Sequence, residues 1–369
     1  MSLLNSFSQL FQRDAQHLES LVVPSNHIFP STPTIGALGA NEGYFRLWVA
    51  QMFLHHDRNW FKEWYPVVQS LTIFSLGTRP NVEIAQVVGP GSLEKVDLKN
   101  LGRIINRDHA LTPLVPFGGG TVQIQAGLIA MPDGDLLRRF LDVMGSFASL
   151  VAVPQVSAAI GIADTVSKGV EQLLGAGDKQ MTLGYQQTFV SKGGGGDNDL
   201  ASKYILLTSA PAGSYSKPDF QVWIKDGEVW VGPDIKNASQ LDKVNYMLLR
   251  FETRQERDDW ESLMSINEPW TKAINALTEF DASGNPKVAD ADLMVRIAIA
   301  AALNSPDLTT KDKPRVARAI RDKYTEYKEM LLSIKALTLP KPPTLTEVAE
   351  EARKASASPV TAEELFNAL

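Results

Sequence analysis

Residues 143–163 read VMGSFASLVAVPQVSAAIGIA, 21 positions without a charge, between two segments of strand character. How this stretch is read decides the fold. A membrane-crossing helix needs roughly 20 predominantly apolar residues, so the length suffices. The composition points elsewhere. Gly145, Ser146, Ser149, Gln155, Ser157 and Gly161 dilute the stretch, Pro154 interrupts it, and Arg138, Arg139, Asp142 and Asp164 stand at its ends. Apolar residues recur at three- and four-residue steps before the proline (Leu136, Leu137, Phe140, Met144, Phe147, Val151) and again after it (Val156, Ile160, Ala163, Val166, Val170, Leu173). That period predicts a helical hairpin or kinked helix over residues 133–175, packed against a sheet. The second reading is conditional membrane insertion of 143–163, with Phe147, Leu150, Val151, Val156 and Ile160 as contact residues.

Outward from this stretch, both flanks read as strands. Residues 44–54, 67–76, 82–88 and 121–131 precede it, and 181–190, 204–209, 220–224, 228–231 and 246–252 follow it. β-Branched and aromatic residues fill these runs, and Gly or Pro stands at the breaks. Along 121–131, Val122, Ile124, Ala126, Leu128 and Ala130 fall on one face, with Gln123 and Gln125 on the other. Lys225-Asp226-Gly227, between two alternating runs, is the strongest hairpin signal in the chain. The expected fold is α+β: a mostly antiparallel sheet or sandwich with an inserted helical hairpin, followed by a helical C-terminal region. Sheet–helix–sheet order without regular βα alternation disfavours a doubly wound enzyme.

Four regions are expected. Residues 1–39 form an amphipathic helix, with Leu3, Leu4, Phe7, Leu10, Phe11, Leu18 and Leu21 at helical spacing, and a Pro/Ser/Thr-rich loop. Residues 40–252 form the β-rich domain, 253–337 are helical, and 338–369 comprise a Pro-rich linker and a tail. In the helical region, Arg254 to Trp260 read as the charged first turns of a helix, and Asp312-Lys313-Pro314 as an N-cap acid before a first-turn proline. Val316, Ala319, Ile320, Tyr324, Tyr327 and Leu331 make one apolar face.

With 369 residues and 44% apolar content the chain can bury a core without staples, and no cysteine is present to form one. Cysteine nucleophiles and thiolate metal sites are therefore excluded, and the cytoplasm is the expected compartment. A net charge of -6, with cations interspersed among acids, argues against a nucleic-acid partner. No cofactor is expected.

Sites of chemistry are few. His55-His56-Asp57 is the one local cluster of metal-ligand types, yet both imidazoles reach a single metal only if the strand ends there. Glu279, Asp281, Ser283, Gly284 and Asp290 follow the spacing of a calcium loop, but Pro286 and the short Asp290 depart from it, and a plain helix-connecting turn explains the same residues. Asp108-His109 is an acid–base pair without a nucleophile elbow to complete it. The glycines at 118–120 and 193–196 lack the spacing of phosphate-binding loops. The expected function is therefore a non-enzymatic protein-binding or assembly component, with a protein partner or a second copy of the chain, and the amphipathic tail around Phe366 suits docking. The alternatives are a membrane-active effector using 143–163 and a hydrolase with dispersed residues.

Overall fold

The computed structural model describes residues 19–31, 36–55, 58–59, 62–89, 105–132, 155–156, 159–160, 180–193, 196–279, 286–333 and 344–354. They belong to two compact units: Met1–Ala40 with Phe45–Arg254, and Asn41–Tyr44 with Gln255–Leu369.

The first unit is built of strands: β1 (Glu19–Val23), β2 (Ile28–Phe29), β3 (Tyr44–Phe53), β4 (Arg58–Asn59), β5 (Lys62–Leu76), β6 (Arg79–Val88), β7 (Ile105–Ala110), β8 (Val115–Pro116), β9 (Thr121–Pro132), β10 (Gln180–Val190), β11 (Lys203–Thr208), β12 (Gln221–Lys225), β13 (Glu228–Gly232), β14 (Ser239–Gln240) and β15 (Tyr246–Arg254). Three sheets result. One runs β1-β11-β15-β3-β7 with β8 also on β3, the second runs β10-β9-β5-β4 with β6 also on β5, and the third runs β14-β13-β12-β2.

Side-chain alternation stacks them. Leu47, Val49, Ile205, Leu207, Met247, Leu249 and Phe251 on one face of the first sheet share a core with Val68, Phe74, Val122, Ile124, Leu128 and Phe189 of the second. Ala50, Phe53, Leu206, Tyr246 and Leu248 on its opposite face pack on Val222, Ile224 and Val229 of the third. The middle sheet is thus covered on both faces, which is why Tyr246-Met-Leu-Leu249 reads as an unbroken apolar run. The α+β expectation holds, in sandwich form.

Two of the strand readings need correction. Glu19–Val23 is a strand paired with β11, so the N-terminal helix does not reach Leu21: Val22 and Val23 are β-branched, and a sheet edge is available to them. The alternation read along β9 holds, and its second face is partly covered too, with Gln125, Ile129 and Met131 buried opposite Ile124. β7, unread in the sequence, pairs with β3.

Of the apolar stretch, Val156 is fully buried in the sandwich core and Ile160 is half-buried against it, with one helical bond from the Ala159 N–H to the Gln155 carbonyl at 3.0 Å. Phe147, Leu150 and Val151 lie outside the described residues. Among the described residues no helix is long and apolar enough to cross a membrane.

The second unit holds α1 (Met264–Thr278), α2 (Val288–Asn304), α3 (Asp312–Ser333) and α4 (Leu345–Lys354). Val316, Ile320, Tyr324 and Tyr327 bury the expected face of α3 against Trp270, Val295, Ile299 and Trp260. The segment before α1 is not helical as expected. Arg257 is wholly buried, its guanidinium donating to the Asp307 carbonyl at 3.2 Å and to Asp259 Oδ1 at 2.7 Å, so this charge is held by tertiary contacts instead of a solvated helical turn. Nor does Asp312 cap α3. Thr309 Oγ1 accepts the Asp312 N–H at 3.2 Å, and the Asp312 carboxylate turns inward to accept from Tyr44 Oη at 2.8 Å, the Arg257 N–H at 2.9 Å and Arg315 Nε at 2.5 Å. Burial and the Asp312 charge push the Tyr44 phenol far up. At α4, Thr344 and Glu347 cap each other reciprocally: the Thr344 N–H donates to Glu347 Oε2 at 2.8 Å, and the Glu347 N–H to Thr344 Oγ1 at 3.3 Å.

Candidate functional site

The β12–β13 hairpin closes on Asp226 and Gly227, both at positive φ (52° and 81°), as a two-residue primed turn requires. Gly227 accepts that conformation without strain, and Asp226 is among the residue types that tolerate it. The turn pairs Lys225 with Glu228 and so sets Trp223 directly opposite Trp230. Val222, Ile224 and Val229 point into the core, which turns both indoles to the other face of the sheet.

Neighbouring strands extend this pair into a ribbon. β2 runs parallel to β12 with Phe29 beside Lys225, and the turn ahead of it places His27 on Trp223, ring centroids 3.9 Å apart and 19° from parallel. His27 Nδ1 is bonded to the Val222 carbonyl at 2.9 Å, which fixes the imidazole, and Phe29 tilts toward Trp223 at 6.2 Å. On the far side Trp230 faces Gln240 of β14, whose Nε2 donates to Glu228 Oε2 at 3.4 Å. The row His27, Trp223, Trp230, Gln240 crosses the sheet, about 14 Å at an interstrand spacing of ~4.8 Å. Beside it run Phe29, Lys225 and Glu228.

The indoles differ in their bonding. Trp223 Nε1 donates to the Gly232 carbonyl at 3.0 Å, whereas Trp230 Nε1 has no acceptor among the described residues and carries the Lys225 ammonium 5.2 Å above its ring. Phe29, tilted toward Trp223, stands in solvent at 39% exposure, and Phe220, in the turn ahead of β12, at 53%.

The β13–β14 loop is held close. A Cβ on Gly232 would fall 2.6 Å from the Ala238 Cα and 2.8 Å from the Asn237 carbonyl oxygen, so only glycine fits. Asp234 folds the loop, accepting from the backbone N–H groups of Lys236 and Asn237 at 2.8 and 2.9 Å and from Asn237 Nδ2 at 2.8 Å. The bonds from Asn237 hold the Asp234 carboxyl below its ordinary range. Behind the ribbon, burial pushes the Tyr246 phenol up, and the charges of Glu228 and Asp242 push it further.

The sites read from sequence lie elsewhere. His55 is exposed, and its ring Nδ1 bonds to the Asp242 carbonyl at 2.9 Å while its N–H donates to Asn245 Oδ1 at 2.7 Å, a loop tie; His56 and Asp57 lie outside the described residues. Glu279 pairs with Lys287 at 2.6 Å, and the Lys287 N–H donates to the Glu279 carbonyl at 3.1 Å. Asp281, Ser283 and Phe366 are outside the described residues, and Asp290 is exposed in the first turn of α2. No group of three or more His, Cys, Asp or Glu residues among those described is placed to hold a metal ion.

Asp108 is salt-bridged to Arg250 at 2.7 Å, within a surface cluster where Arg46 and Arg250 flank the Trp48 ring and Trp48 Nε1 donates to Glu252 at 2.7 Å. Burial raises the Asp108 carboxyl, and Arg250 opposes the shift. Two carboxylates stand among the cations of this cluster, an arrangement that ties the sheet together.

The aromatic ribbon was not singled out by sequence reasoning, although half of its signal is local. A two-residue Asp226-Gly227 turn pairs 225 with 228, and therefore 223 with 230. His27, distant in sequence, gives no such cue. Comparison with protein-family models, with curated proteins and with solved structures found no match. The geometry offers stacking surfaces, an indole donor and a carboxylate: equipment for binding.

Proposed function

We propose that this chain is a non-enzymatic binding protein of the cytoplasm, a component of a larger assembly that engages a protein partner through the aromatic face of its four-stranded sheet. The carrying observation is the position of the aromatics. Val222, Ile224 and Val229 already complete the core beneath the sheet, while the half-buried Trp223 and Trp230 stand on its outer face with His27 stacked on Trp223 and the exposed Phe29 beside it. Exposed aromatic groups concentrated in one patch are characteristic of interaction surfaces. The test compares wild-type chain with the double variant Phe29→Ala/Trp230→Ala, each tagged in the native host, and quantifies co-purifying proteins by mass spectrometry alongside thermal unfolding. Stoichiometric partners lost by the variant, at an unchanged unfolding transition, support the reading. Partners retained by a folded variant remove it.

A further inference from the structure

The second sheet has two buried faces, and only one of them has been accounted for. Strand alternation turns Val68, Ile124 and Leu128 into the sandwich and the residues between them to the opposite, outer face. There the ladder sets Met131 beside Tyr65, Ile129 beside Val67, and Gln125 and Ala85 on either side of Leu71, all of them buried. Among the described residues, neither core of this unit includes them. The burial covers half of the face. Further along it Gln123 and Thr188 are exposed, as is Gln186 beside Gln125. The cover is therefore a segment of limited length, and it lies over the end at which β9 stops, Pro132.

We infer that residues 136–151 of this chain dock on this half-face, with Leu136, Phe140, Met144, Phe147 and Val151 against the sheet. Connectivity selects them first. The chain leaves the covered end at Pro132 and is back in the sandwich core at Val156, so both ends of the segment are fixed on this unit. Length agrees. At about 1.5 Å per residue the stripe from Leu136 to Val151 is roughly 22 Å long, against about 20 Å of β9 from Gln125 to Met131 at ~3.4 Å per residue.

Charge selects them again. The buried polar groups Gln69 and Gln125 of the face are uncharged amides, and residues 143–151 carry no charge either. At about 100° per residue, Arg138, Arg139 and Asp142 fall on the side of the segment away from its apolar stripe. Residues 90–104 and 161–179 also begin and end on this unit, but charges are spread through both: Glu94, Asp97 and Arg103 in one, Asp164, Lys168 and Glu171 in the other. An unpaired charge pressed on an apolar sheet is costly. The stretch long enough for a membrane is thus matched to the protein's own sheet.

The sequence holds no cysteine, so an introduced pair reports without background. In the full-length protein, Ala85→Cys on the face is combined with one second cysteine and oxidised with a glutathione couple. The second cysteine is Phe140→Cys, Met144→Cys or Phe147→Cys on the stripe, Arg138→Cys or Asp142→Cys on its reverse, or Val96→Cys or Val166→Cys in the competing segments. Peptide mass spectrometry maps each disulfide, beside a melting curve of each variant. Intramolecular disulfides are expected from the stripe and lost at its reverse. Where an Ala85→Cys protein does not fold, Val67→Cys or Ile129→Cys takes its place. Equal yields from both sides, disulfides from Val96→Cys or Val166→Cys alone, links only between two copies of the chain, or no disulfide in any folded pair overturns the inference. Vesicles of phosphatidylcholine and phosphatidylglycerol make the second arm. The disulfide is expected to form equally well in their presence, and its loss on vesicle binding assigns the stretch to lipid and overturns the inference.

Discussion

The helical unit and the four-stranded sheet handle their costly groups in opposite ways. In the helical unit Arg257, Asp307, Asp312 and Arg315 are buried and knotted together through Tyr44 and Thr309. In the small sheet the cores of β12 and β13 are aliphatic, and the large rings are left outside. A buried charge is tolerable only when fully partnered, and removing one partner is far more damaging than never having buried the pair. Rings left facing solvent forgo burial energy and are understandable as a surface kept for contact. The contrast separates residues whose loss unfolds the protein from residues whose loss leaves it folded and unable to bind.

The largest expected effect breaks the buried network. Asp312→Ala removes the acceptor of Arg315 Nε, the Tyr44 hydroxyl and the Arg257 N–H and should cost about 3–5 kcal/mol, read as an earlier loss of helical signal in urea. Asp312→Asn, which keeps acceptor oxygen but not charge, should fall between this variant and wild type.

Next comes the backbone contact behind the ribbon. Gly232→Ala forces the loop at Asn237 and Ala238 to move, for about 1–3 kcal/mol by chemical denaturation. Because the Gly232 carbonyl anchors Trp223 Nε1, the same variant should also retain less of any protein that co-purifies with the wild-type chain.

Trp230→Ala sharpens the comparison. The ring is half-buried, so the stability loss should stay near 1 kcal/mol while recovery of co-purifying partners drops about tenfold or more. Equal and large losses of both would place Trp230 with the buried network instead.

The smallest effect is a titration. Asn237 holds the folded Asp234 carboxyl below its ordinary range, so its contribution to stability is present above the unfolded pKa and fades as pH falls through the folded one. Asn237→Ala should raise that titration midpoint, observed by NMR of the Asp234 carboxyl, with little change in melting temperature at neutral pH.

Much of the fold was legible residue by residue. The alternation from Val122 to Ala130 and the Asp226-Gly227 turn place strands within a few residues of their observed ends, because strand period and primed-turn chemistry are local. Less of the site was legible. Asp312 beside Pro314 reads as a cap by every local rule, yet its carboxylate is claimed by Tyr44, 268 positions away. The isolated charges of Arg254 to Asp259 read as helical surface because nothing nearby announces that Arg257 is enclosed. Glu19–Val23 followed a helical spacing until β11 offered it a ladder of backbone bonds.

By itself the sequence determined the periods: which runs are strands, which helix faces are apolar, and that Trp223 must stand opposite Trp230 once the turn forms. Tertiary structure alone decided that β3 lies between β15 and β7, that the middle sheet is covered on both faces, and that His27 rests on Trp223. The division has one physical cause. Periodicity and turn geometry are set by a residue's immediate neighbours, whereas burial and partnership are set by whichever distant segment the folded chain brings alongside.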